Sequence, residues 1–115
     1  MMGTVTYQRF FTPQMLSTTS VVIYQLAQTP TTLISRGWRI RLTNITASPV
    51  NVTLFNVPNG ATPQAQNEII NAGPVPANSY IDIDIPIMGP GDALWAQASV
   101  TSALVLHLLN GILYS

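Results

Sequence analysis

Strict alternation of apolar and polar residues, in runs too short for anything but strands, constrains this chain more than any other feature. Ile81, Ile83, Ile85 and Ile87 alternate with Asp82, Asp84 and Pro86, which sets an apolar row against a polar one. Trp38, Ile40 and Leu42 alternate with Arg39, Arg41 and Thr43, and Val50, Val52 and Leu54 with Asn51, Thr53 and Phe55. Leu94, Ala96 and Ala98 alternate with Trp95, Gln97 and Ser99, and Leu104, Leu106 and Leu108 with Val105, His107 and Leu109. Residues 21–26 and 31–35 are two weaker strand candidates. Pro86 cannot donate to a ladder, so it marks an edge or a strand end.

Turn chemistry punctuates these runs: Pro58-Asn59-Gly60, Ala72-Gly73-Pro74, Pro76-Ala77-Asn78 and Gly89-Pro90-Gly91-Asp92, with residues 44–49 as a hairpin loop. Seven or eight strands at this rhythm predict an all-β fold, an antiparallel β-sandwich of jelly-roll or immunoglobulin-like type. Residues 63–70 read as a loop with at most one helical turn, leading into a short strand. A chain of 115 residues has room for one such core.

Residues 1–19 differ from the rest, with Val5, Tyr7, Phe10, Phe11, Met15 and Leu16 isolated among Thr, Gln and Ser. This segment reads as an N-terminal arm and residues 20–115 as the sandwich domain. Phe10 and Phe11 need cover from their own domain or a neighbour. Removing residues 1–18 is expected to leave the sandwich folded.

Charge narrows the function. Charged residues make up 7% of the chain against roughly 25% in an average soluble domain. They are Arg9, Arg36, Arg39, Arg41, Glu68, Asp82, Asp84 and Asp92, with a formal net charge of zero. Such a chain has no field to gather phosphates, so no nucleic-acid partner is expected. With 47% apolar residues and few charges to oppose association, an assembled state is expected. No run approaches the 18 apolar residues or so of a membrane span, and the start lacks the pattern of a secretory signal, so neither a membrane partner nor export is expected.

Cysteine is absent, which removes disulfides, thiolate nucleophiles and cysteine-held metals. Asp82 and Asp84 are spaced to share one strand face, as an acid–base pair or a hard-cation site would require. Arg39 and Arg41 have the same spacing, so a cross-strand charge ladder is the simpler use. His107 is the single histidine; no Gly-x-Ser-x-Gly elbow accompanies it, and it reads as a packed or interface residue. Gly89-Pro90-Gly91 lacks a donor that a phosphate loop needs. Asn44-Ile45-Thr46 and Asn51-Val52-Thr53 match the glycosylation pattern but read as turn and strand polarity. No catalytic, cofactor-binding or metal-ligating residue is assigned, and no enzyme is expected. Phe55, Val57, Trp95, Val105 and Leu109 stand on rows that alternation directs outward. With Phe10 and Phe11 they are the candidate interface, unless a second layer covers them.

Taken in order, Ile23-Tyr24, Arg39-Ile40-Arg41-Leu42-Thr43-Asn44, Val50-Asn51-Val52-Thr53-Leu54-Phe55-Asn56-Val57-Pro58, Gly91-Asp92-Ala93-Leu94-Trp95-Ala96-Gln97-Ala98 and Leu106-His107-Leu108-Leu109-Asn110-Gly111 resemble a group of small tailed-bacteriophage structural proteins. There a strand ending in Thr-Asn precedes a Val-Thr-Leu strand, a Pro-x-Gly loop, a Gly-Asp turn and a last strand ending near Gly. The resemblance spans residues 20–113 and implies a sandwich in the virion, as a capsid cement (decoration) protein or part of a fibre or tail. It carries no catalytic residues, and the longer aromatic arm departs from it. The function expected is a capsid cement protein, a homotrimer made in the host cytoplasm and placed on the capsid exterior, with itself and the major capsid protein as partners. The alternative is a fibre or tail-tip module binding a host carbohydrate, with Trp38, Trp95 and Tyr80 lining a shallow site.

Overall fold

A computed structural model describes residues 5–7, 10–28, 34–35, 38–110 and 112–114. Its strands are β1 (Val5–Tyr7), β2 (Gln14–Met15), β3 (Val21–Gln25), β4 (Ile34–Ser35), β5 (Arg39–Asn44), β6 (Val50–Val57), β7 (Glu68–Val75), β8 (Tyr80–Asp84), β9 (Ala93–Ala98), β10 (Leu104–Asn110) and β11 (Ile112–Tyr114). One 3-10 turn, Ala65–Asn67, precedes β7, the single helical turn expected in that loop. Part of the 31–35 candidate survives as β4; residues 31–33 lie outside the described residues, as do Arg9 and Arg36.

Two four-stranded antiparallel sheets carry the fold, in the orders β2-β10-β5-β8 and β3-β9-β6-β7, and a small third sheet has the order β1-β11-β4. The pairings are nested: β2 with β10, β3 with β9, β5 with β8 and β6 with β7. That is one long hairpin rolled on itself, the jelly-roll arrangement, with successive strands of the two main sheets sent to opposite sheets except at the β6–β7 tip. An immunoglobulin-like order would keep the first two strands of the sandwich in one sheet.

Alternation explains the core. Ile40 and Leu42 of β5, Leu104 and Leu106 of β10, Val50, Val52 and Leu54 of β6 and Leu94 of β9 are buried between the sheets, while their polar neighbours on β5 point outward. Ala96 and Ala98 on β9 also face the core, as small residues set against larger ones. β8 stops at Asp84, two residues before Pro86. Ile83 and Ile85 are buried, but Ile87, beyond the proline, is exposed. Ala72-Gly73-Pro74, expected as a turn, lies inside β7. There the register against β6 shifts and Ala72 takes a positive φ of 50°, so the segment is a bulge on an edge strand.

Within the segment read as an arm, residues 10–16 belong to the sandwich. Gln14 and Met15 pair with β10, and Leu16, only 1% exposed, joins the core with its N–H on the Leu104 carbonyl. Phe10 stacks on Tyr24 at 4.5 Å and meets Trp38 edge-on at 5.0 Å; Phe11 meets Trp38 edge-on at 6.3 Å. Trp38 is fully buried beneath these rings, and burial pushes the Tyr24 phenol above its ordinary pKa. Hydrophobic closure accounts for the difference from sequence: two phenylalanines and a leucine gain more from this domain's core than from water.

Removing residues 1–18 is therefore expected to abolish the cooperative unfolding transition, because it deletes an edge strand together with Leu16, Phe10 and Phe11. Leu16→Ala alone should cost about 2–5 kcal/mol in urea denaturation followed by tryptophan fluorescence. A truncated chain with full-length stability would contradict this packing.

Candidate functional site

The outer sheet faces and the two loop ends are where the remaining chemistry sits. At the end of β5 a buried asparagine fixes the turn that leads into β6. The Asn44 side-chain amide donates to the Ser48 and Val75 carbonyls at 2.8 and 3.1 Å, and its oxygen accepts from the Thr46 N–H and hydroxyl at 2.9 and 2.7 Å. All four hydrogen-bonding positions of this buried amide are thus used, which makes Asn44 structural and unsuited to glycosylation.

At the far end of β6, the Asp92 carboxylate accepts from the Asn59 N–H at 3.0 Å and the Gly89 N–H at 2.8 Å, while its backbone carbonyl accepts from Leu26. Gly91 has φ +81°, and a Cβ there would collide with the Asn59 side chain. The Gly89-Pro90-Gly91 segment is thus a turn locked by a carboxylate. It ties together the connections after β3, β6 and β8.

On the outer face of the first sheet, register brings Arg39 opposite Asp84 and Arg41 opposite Asp82. Both pairs close: Arg39 Nε to Asp84 Oδ1 at 2.7 Å, and Arg41 to both Asp82 oxygens at 2.8 and 3.0 Å. The Arg41 guanidinium also lies 4.1 Å from the centre of the Tyr80 ring. The paired aspartates thus face arginines in a cross-strand ladder, as their spacing suggested. His107, read as a packed or interface residue, lies across from Arg41 on β10 and is exposed, so it is not packed in the core. Among the described residues no group of three or more metal-ligating side chains could hold one ion. No helix among them is long and apolar enough to cross a membrane.

The candidate interface residues divide. Phe10 and Phe11 are packed against the chain's own core cluster. Phe55 is 8% exposed and Val57 1%, so both are corrected from surface to interior. Phe55 lies between Trp95 of β9 and Glu68 of β7 on an inner strand, with the 3-10 turn packed against β6. Trp95 and Val105 are half-buried and Leu109 is exposed, and they stand on different sheets: Trp95 on β9, Val105 and Leu109 on β10.

Register adds residues that sequence reading missed. Val22, 45% exposed, extends the Phe55–Trp95 row onto β3. Met15 stands beside Val105, and Tyr80 lies in the same row across Thr43. Met15 was obscured by its assignment to an arm, although Met15 outward and Leu16 inward is already a strand pattern. Trp38, Trp95 and Tyr80 do not converge: Trp38 is in the core, and the other two belong to different sheets.

Fold and surface together define a jelly-roll module with one ion-paired outer face and one carrying a half-buried tryptophan. Comparison with known families, curated proteins and solved structures finds no match.

The Arg41 guanidinium, chiefly through its hydrogen bonds, holds the Asp82 carboxyl below the ordinary aspartate value of 3.8. A carboxyl depressed on folding contributes stability at pH above its unfolded value, and that contribution is lost as pH falls through the folded value. Carboxyl-carbon NMR titration is expected to place the Asp82 midpoint below 3.8 and to move it upward in Arg41→Gln. An unmoved midpoint would show that the pair is not formed in solution.

Proposed function

We propose that this protein is a structural component of a bacteriophage virion: a capsid cement protein, homotrimeric, that sits on the capsid exterior and stabilises the shell by packing on the major capsid protein. The observation that carries this reading is where the rings still open to solvent lie, Tyr80 exposed and Trp95 half-buried. Trp95 and Tyr80 stand on strands of the sheet faces, with Val22 and Met15 beside them in the rows described above. Side chains spread over sheet faces suit broad packing against another protein, whereas a sugar site needs aromatics gathered at one end. The sequence resemblance to small tailed-phage structural proteins supports the same role, and jelly rolls are frequent in viral shells. Fold alone does not fix function, so the surface bears the weight.

The Trp95 face is assigned to the shell. Burying Trp95 and Val22 there stabilises the contact by roughly 25 cal/mol per Å² of apolar surface, a term that ordinary salt does not screen. Binding of the purified protein to isolated shells, measured by co-sedimentation, should change little from low to moderate ionic strength. Trp95→Ala should weaken it about tenfold or more, as expected for a central aromatic anchor. A steep loss with salt, or unaltered binding by Trp95→Ala, would overturn the assignment.

A further inference from the structure

Six charged residues are described, and four of them, Arg39, Arg41, Asp82 and Asp84, share the outer face of the β2-β10-β5-β8 sheet. Glu68 is on the other sheet and Asp92 is engaged in the loop lock. The four form two parallel columns, basic on β5 and acidic on the neighbouring edge strand β8, matched residue for residue by the register. Within a column the charges repeat every second residue, about 6.6 Å apart, and the columns are about 4.8 Å apart.

A uniformly acidic or basic partner laid on this face would meet nearly as much repulsion as attraction. A partner that fits must carry the same two columns at the same spacing, and another copy of this chain does. The columns are also held in place before any encounter: Asp82 grips Arg41 through two contacts, and the Tyr80 ring supports the guanidinium. A guanidinium has five donors, so a second carboxylate can be added to one already bridged. Next to the ionic rows, Met15 and Tyr80 are each 52% exposed. Methionine, tyrosine and arginine are among the residue types enriched at interfaces.

We propose that this face docks another copy of the chain, the Arg39–Arg41 column of one copy meeting the Asp82–Asp84 column of the next. The proposal deepens the assembly reading by naming the surface that joins the subunits, and it rests on that reading. The apolar flank supplies affinity, and the charges set register and choice of partner. The interface is distinct from the Trp95 face, so self-association should weaken with salt while shell attachment does not.

Charge exchange tests it. In R39D/R41D/D82R/D84R each internal pair keeps opposite charges on the same two strands, so the fold and self-association should persist. Mixed with differently tagged wild-type chain under exchange conditions, the exchanged protein should form mixed oligomers at least about tenfold less often than random assortment, because like columns then face each other. R39D/R41D, with both columns acidic, should stay monomeric where wild type associates. Should the fourfold variant not fold, as judged by circular dichroism, the charge-removing R41Q/D82N decides: about tenfold weaker self-association is expected, and wild-type association overturns the proposal. Statistical mixing of exchanged and wild-type chains overturns this face while leaving shell binding untouched. A wild-type chain monomeric throughout overturns it too, and then also removes the self-assembly part of the proposed function.

Discussion

Everything in this molecule depends on the apolar seam between two sheets whose strands are nearly all paired over long stretches of chain. Only β6 and β7 are both consecutive in the chain and partners within one of the two main sheets. Closure of the seam, with Ile40, Leu42, Leu104 and Leu106 on one side and Val50, Val52, Leu54 and Leu94 on the other, therefore holds the ladders in register. The buried faces set the orientation of every exposed residue, because a slip by one position would exchange the ionic rows with the core. Asn44 and Asp92 fix the loops at the two ends of β6, so the seam is pinned where its strands turn.

With so few charges, five of the six described ones have an identifiable use. Asp92 organises the turn that begins β9. The β5 and β8 pairs place fixed opposite charges on an outer face and also mark the β8 edge, where edge-to-edge pairing with β8 of another copy would bring aspartate near aspartate. β7 is protected differently, by a bulge and by Pro74, and β2 by being two residues long. The protein thus presents faces more readily than edges. That suits the proposed division, in which the Trp95 face and the ion-paired face serve different partners.

Strand existence was legible in the sequence wherever alternation was strict, as on β5, β9 and β10, because burial of one face follows directly from a period of two. The Arg–Asp ladder was legible for the same reason, since equal spacing on two strands needs only adjacency to become a pair. What alternation cannot carry is the partner of each strand, so jelly-roll and immunoglobulin-like orders stayed open until the nested register separated them. Phe55 and Val57 show the other limit. Both stand on an outward row, yet Phe55 is flanked by Trp95 and Glu68 on the neighbouring strands, and Val57, beside Ala93, is also buried. Phe10, Phe11 and Leu16 were hidden by sparse spacing: a two-residue strand followed by one core leucine has too little pattern to separate from an arm. Met15 and Val22 became candidates only through their strand neighbours.

Light scattering on the purified full-length chain, across a dilution series at moderate salt, tests self-association most directly. The expected result is a mass that is a multiple of the 12.4 kDa chain, three chains under the proposed stoichiometry, falling toward a single chain on dilution or added salt. A mass of one chain at every concentration would contradict it, and the ion-paired face would then be a solvated surface.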